Sequence, residues 1–160
     1  MRLKGLIDED FVNYKYPSMF IGTCFCDWKC CTEQNLDISI CQNSQLANFK
    51  IIDISVEDLF HRYIQNPISK SIVIGGLEPI KQFDEILELI AIFRSNDCMD
   101  DFVIYTGYYP EEINEYLNKL KEFPNIIMKF GRYIPGQEKH FDEVLGINLV
   151  SNNQYGERIS

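Results

Sequence analysis

Residues 22–31 read Gly-Thr-Cys-Phe-Cys-Asp-Trp-Lys-Cys-Cys and hold four of the chain's six cysteines; Cys41 follows in Cys41-Gln42-Asn43. Thiols gathered this densely pair as disulfides, hold a metal or do redox chemistry. Disulfides suit an exported protein. The N-terminal stretch MRLKGLIDEDF is charged within ten residues and has no apolar export segment. No stretch approaches the roughly 20 apolar residues that span a bilayer. The expected setting is therefore cytoplasmic, where thiols stay reduced and metal or redox chemistry becomes the stronger reading.

Spacing narrows the chemistry further. Structural zinc sites usually take four ligands as two spaced knuckles. Cys24, Cys26, Cys30 and Cys41 supply four thiols, but the one-residue gap between Cys24 and Cys26 suits a knuckle poorly. His61 and His140 lie far away in sequence, and Cys98 stands alone. An iron–sulfur cluster asks for thiolates, and its irons need not all be protein-bound. Cys26-Asp27-Trp28-Lys29-Cys30 is a Cys-x3-Cys unit enclosing an aromatic that packs the loop or shields a cluster from water. Cys24 shares strand parity with Cys26 and reads as a spare thiol. Cys98 reads as a buried or helix-end thiol.

These residues need a scaffold. The 160 residues are 46% hydrophobic and suffice for one core; no repeat or linker divides them, so a single domain over 1–160 is expected. Ser18-Met-Phe-Ile-Gly follows Pro17 and reads as a buried strand running into the thiol loop. Lys50-Ile-Ile-Asp-Ile is a second short strand, and Ser55 with Asp58 predicts a capped helix carrying Leu59, Phe60 and Tyr63. Ser71-Ile-Val-Ile is a β-branched run stopped by Gly75-Gly76. Phe83, Ile86, Leu87, Ile90 and Phe93 recur at helical spacing. Phe102-Val-Ile-Tyr, Ile126-Ile-Met-Lys-Phe and Ile147-Asn-Leu-Val read as further strands, the last of them closing the series. Pro110-Glu111-Glu112 opens a helix with Ile113, Tyr116, Leu117 and Leu120 on its apolar face. Glu33, Glu111 and Glu112 read as solvated carboxylates, and Asn43 as an N-cap for residues 44–49.

Strand and helix alternating through short turns predicts an α/β fold with a mainly parallel sheet. Ligands in such sheets sit beyond the carboxyl ends of the strands. The thiol loop, the segment from Gly75 to Pro79 and the Thr106-Gly107 turn all fall at those ends, so one rim is expected to carry the chemistry. The formal net charge of −9 leaves no basic face for phosphates and suits anionic membranes poorly. Neither a nucleic acid nor a membrane is an expected partner.

The Cys26–Cys30 unit, on a loop leaving the first predicted strand, resembles the radical S-adenosylmethionine superfamily. Within it, the chain is similar to the small 4Fe-4S activating proteins of anaerobic ribonucleotide reductase. The usual loop there is Cys-x3-Cys-x2-Cys, often followed by Asn; here the third position is Glu33, and Cys41 arrives after an expansion over 31–40. Gly75-Gly76-Leu77-Glu78-Pro79 resembles the Gly-Gly-Glu-Pro motif that contacts the methionine amino group, with one residue added. Tyr105-Thr106-Gly107-Tyr108 resembles a phrase of those activators, and Asn153-Gln154 resembles their tail.

The resemblance implies a partial (βα) barrel of mainly parallel strands. It implies a 4Fe-4S cluster on Cys26, Cys30 and Cys41, with Cys31 an open alternative to Cys30. It implies S-adenosylmethionine beside Trp28, Gly75, Gly76, Glu78, Thr106, Gly107 and Asn153. The implied reaction is reductive cleavage of that cofactor to place a glycyl radical on a large partner of the anaerobic ribonucleotide reductase type. Flavodoxin or ferredoxin is the implied electron donor. Two alternatives stay open: the same chemistry on a small molecule or peptide, and a non-catalytic module bracing an interface with zinc or an iron–sulfur cluster.

Overall fold

The computed structural model describes residues 1–160. The chain begins with a strand, β1 (Arg2–Asp10), which turns back through a short loop into β2 (Ser18–Thr23). The thiol loop follows and contains one helical turn, α1 (Lys29–Thr32). Next come β3 (Ile52–Asp53), α2 (Val56–Gln65), β4 (Ser71–Gly76), α3 (Phe83–Ser95), β5 (Asp101–Tyr105), α4 (Asn114–Leu120) and β6 (Ile126–Phe130). A hairpin of β7 (His140–Asp142) and β8 (Ile147–Leu149) precedes the final strand, β9 (Tyr155–Arg158). No helix is long and apolar enough to cross a membrane.

Local sequence explains the principal elements. Ser55 caps α2 by accepting a hydrogen bond from the Asp58 amide at 3.0 Å, satisfying a donor the helix itself leaves free. Phe83, Ile86, Leu89, Ile90 and Phe93 form the buried stripe of α3. β4 places Ile72, Val73 and Ile74 in full burial, as a central strand covered on both faces requires.

The sheet has seven strands in the order β3-β1-β2-β4-β5-β6-β9. The run from β2 through β4 and β5 to β6 is parallel, whereas β1, β3 and β9 pair antiparallel at the margins. The expected α/β architecture with a parallel centre is present, but β3 and β9 remain open edges and half of the strand pairings are antiparallel. Antiparallel neighbours need no crossover helix, so β1 turns back into β2 through a short loop.

Three strands, β1, β7 and β9, carry no clear signal in the sequence. β1 carries Arg2, Lys4, Asp8, Glu9 and Asp10, so its charges hide the pattern of a strand with one exposed face. β9 is short and mostly exposed. Ile147–Leu149, expected as the last strand, instead pairs with His140–Asp142 in a separate two-stranded sheet.

The helices pack on one face of the sheet, where Leu59, Tyr63, Ile86, Leu89, Ile90 and Phe93 meet Ile72, Ile74, Phe102 and Ile104. On the other face Val73, Val103 and Ile127 lie beneath Tyr14, Leu145 and Leu149. That second cover stops short of the strand ends and leaves a cavity at the carboxyl rim of β4, β5 and β6.

Phe93 is fully buried and packs edge-on against Phe60 and Phe102. Phe93→Ala is expected to cost about 3–5 kcal/mol by leaving a cavity, read as a lower urea midpoint. Phe141→Ala, at a side chain 60% exposed, should move stability by no more than about 0.5 kcal/mol.

Candidate metal centre

β2 delivers the chain to the rim, and Thr23 anchors it there by donating its hydroxyl to the Gly75 carbonyl at 2.8 Å. The Cys24 amide donates to Gln82 Oε1 at 2.6 Å, and the Glu78 amide to the Phe25 carbonyl at 2.7 Å. The loop then reverses at Trp28, whose φ of 57° lies in the left-handed region. This non-glycine outlier turns the chain into α1 and brings Cys30 round to the side of Cys26. The Trp28 amide donates to Cys26 Sγ at 3.2 Å.

The detour over residues 31–40 is anchored at both ends. The Leu36 amide returns to the Cys31 carbonyl at 3.0 Å, and Gln34 Nε2 donates to the Tyr133 carbonyl at 2.9 Å. Asp37 caps a single 3-10 turn, Ile38–Ile40, that ends at Cys41. Asn43 does not cap the turn after it; its Nδ2 donates to the Gly76 carbonyl at 2.6 Å and moors the third thiol to the rim of β4.

Cys26, Cys30 and Cys41 line one cavity of about 290 Å³. Trp28, Gly76, Glu78, Thr106 and Gly107 line it as well. Gly75 is not on its wall; a side chain there would meet the Phe20 ring at 3.2 Å. Asn153 is also off the wall, donating instead to the Tyr109 hydroxyl and the Arg132 carbonyl, both at 2.9 Å. Gln154 lines the cavity in its place. Cys24 and Cys31 are 7% and 3% exposed and do not reach the cavity, and Cys98 lies apart from it beside Asp100.

The three thiols influence one another. The neighbouring Cys30 and Cys31 thiols, with the Asn43 and Ser44 amides, bring Cys41 down to about 6 while Cys30, whose Sγ lies 4.0 Å from that of Cys31, is pushed up. Burial pushes Cys26 up to about 11. No three His, Cys, Asp or Glu side chains converge closely enough to hold one metal ion. Thiols set around a cavity suit a cluster, in which each thiolate binds a different iron, better than a single tetrahedral zinc.

The opposite wall is organised by Glu78. Its buried carboxylate accepts from the Thr106 hydroxyl at 2.8 Å, the Gly107 amide at 2.9 Å and the Ile80 amide at 3.1 Å. Burial nevertheless raises it to about 6. Gly76 holds a φ of 84°, and a Cβ there would lie 2.9 Å from the Gly22 Cα, so only glycine permits this crossing.

Two features were not foreseen. Glu33 and Glu112 are exposed, as solvated carboxylates should be, yet both also bind the buried Arg132, with contacts of 2.7 Å and 2.6 Å, and Lys29 joins Glu112 at 2.5 Å. This network clamps α1, which carries Cys30, against the segments that follow β5 and β6. Lys129 is also buried on the cavity wall. Its signal in the sequence was a lone cation inside the otherwise apolar run from Ile126 to Phe130.

A family model described as a 4Fe-4S single cluster domain matches residues 18–154, from the start of β2 through Gln154. No curated protein matches the chain.

Arg132, first through its hydrogen bonds, holds the Glu112 carboxyl down at about 2, below its ordinary 4.5. A depressed carboxylate stabilises the fold above its unfolded value and loses that effect as pH falls through the folded value. Glu112→Gln should therefore be less stable at pH 7 by about 1–2 kcal/mol, allowing for solvent screening. The gap should close as pH falls from about 4.5 towards 2, followed by chemical denaturation across that range.

Proposed function

Because the chain belongs to the 4Fe-4S single cluster domain family, we propose that it is a radical S-adenosylmethionine enzyme of the glycyl-radical activating type. The observation that carries this reading is that three thiols, and not four, reach the cavity. Cys26, Cys30 and Cys41 would hold the cluster and would leave one iron without a protein ligand, open to the amino and carboxylate groups of the cofactor. When bound and reduced, such a cluster would supply one electron for the reductive cleavage of S-adenosylmethionine.

The chain's own residues hold, orient and shield. Glu78 uses three of roughly four acceptor positions on its carboxylate, leaving one for an ammonium. Gly76 and Gly107 keep the wall thin enough for close approach, and Trp28 excludes water beside Cys26 and Cys30. Hydrogen abstraction by a radical needs no general base, so the site requires no acid–base pair. Helices on one face of the sheet and the cavity on the other support the reading of an opened (βα) barrel. A large glycyl-radical protein of the anaerobic ribonucleotide reductase type then covers the cavity mouth, and flavodoxin or ferredoxin supplies the electron.

Anaerobic reconstitution with iron and sulfide should load about four irons per chain. The EPR signal of the reduced cluster should change when S-adenosylmethionine is added, and 5′-deoxyadenosine should appear. Cys26→Ala, Cys30→Ala and Cys41→Ala should lose the cluster, whereas Cys24→Ala and Cys98→Ala keep it. An EPR signal blind to the cofactor, with no cleavage, would leave a cluster protein and defeat the radical reading. Zinc at one equivalent without iron would defeat both.

A further inference from the structure

Lys129 lies in β6 opposite Tyr105 on one side and Gly156 on the other, and it is 8% exposed. Its Nζ donates to the Gly131 carbonyl at 3.0 Å, a carbonyl that Gln154 Nε2 shares at 3.3 Å. None of the chain's ion pairs includes it. A buried ammonium held by one carbonyl, with the Tyr105 ring centroid 6.0 Å away, is poorly compensated, because losing water costs more than these contacts return. Such a group persists where something negative faces it. Lys129 is the sole cationic side chain on the cavity wall, in a chain whose formal charge is −9. Glu78 is the carboxylate that acts on it from that wall.

We propose that Lys129 is the counter-charge of the cluster: its ammonium offsets the thiolate-bound cube and favours the reduced form. This rests on the cluster reading above. A cube core of charge about +2 on three thiolates is about −1 overall, and one electron from the donor takes it to about −2, so a fixed cation stabilises the product of reduction more than its precursor. Lys129 thus acts on the electron-transfer equilibrium and touches no reacting atom.

The test compares wild type with Lys129→Gln, which keeps a donor for the Gly131 carbonyl but removes the charge, and with Lys129→Arg, which restores it. Each is reconstituted without S-adenosylmethionine, its iron is counted, and its reduction is followed by EPR at controlled potential. The glutamine variant should show a reduced-to-oxidised ratio about tenfold lower at a given potential, the size a unit charge exerts across roughly 10 Å at an effective dielectric near 20. For one electron that is about 59 mV. The arginine variant should fall within about threefold of wild type by the same charge argument. Should the glutamine variant hold no iron, recovery of iron in the arginine variant supports the counter-charge, and failure of both assigns Lys129 to packing and overturns it. An unchanged potential in a fully loaded glutamine variant also overturns it. So does a defect confined to S-adenosylmethionine affinity, which would place the ammonium on the cofactor's carboxylate instead. A wild type that takes up no iron defeats the cluster reading, and this proposal with it.

Discussion

The buried carboxylate of Glu78 is the contact on which the rim depends. Its oxygens satisfy the Thr106 hydroxyl and the Gly107 amide from the end of β5, together with the Ile80 amide that follows β4. Its own amide reaches back to Phe25 in the thiol loop. One residue therefore joins three segments that are far apart in sequence. A buried acceptor of this kind is stable only while its donors are in place, and each donor would be a buried orphan without it. Mutual need of this sort gives the rim a single arrangement.

The thiol loop solves a different problem. A short loop would carry its last thiol back to the rim by its own geometry, whereas one lengthened by residues 31–40 has to be guided. Closing a longer loop adds little entropy for each doubling, about 0.6 kcal/mol, so the length itself is a small burden. What matters is where the excursion is fastened. Trp28 in the left-handed region makes the reversal, Gln34 reaches Tyr133, and Asn43 reaches Gly76. The Arg132 network holds α1 from the outside while Cys30 turns inward. These fastenings link loop conformation to the placement of Cys26, Cys30 and Cys41 on one cavity.

Charge is distributed unevenly over this scaffold. The chain carries a net −9, yet two cations, Arg132 and Lys129, are buried near the rim. Arg132 is met by two carboxylates, and its planar fork suits that geometry. Lys129 has no carboxylate partner and looks into the cavity. The difference separates a clamp, whose charges are balanced within the fold, from a wall cation bonded only to a backbone carbonyl.

The sequence by itself determined the local elements and the donor chemistry. Ser55 and Asp58 placed a helix start, the run from Ser71 to Ile74 placed a central strand, and the spacing of Cys26 and Cys30 placed two thiols on one loop. Periodicity and capping are short-range physics, written in neighbouring residues. The charged strand Arg2–Asp10 was illegible because only its pairing with Ser18–Thr23 shows which face is buried. Ile147–Leu149 was legible as a strand but not as a member of the wrong-face hairpin, since partner choice is a long-range matter. The roles of Glu33, Glu112, Lys129 and Gln154, and the exclusion of Gly75 and Asn153 from the cavity wall, were likewise decided only by tertiary structure. A side chain's burial and partners depend on segments a hundred residues away, and no spacing rule reaches that far.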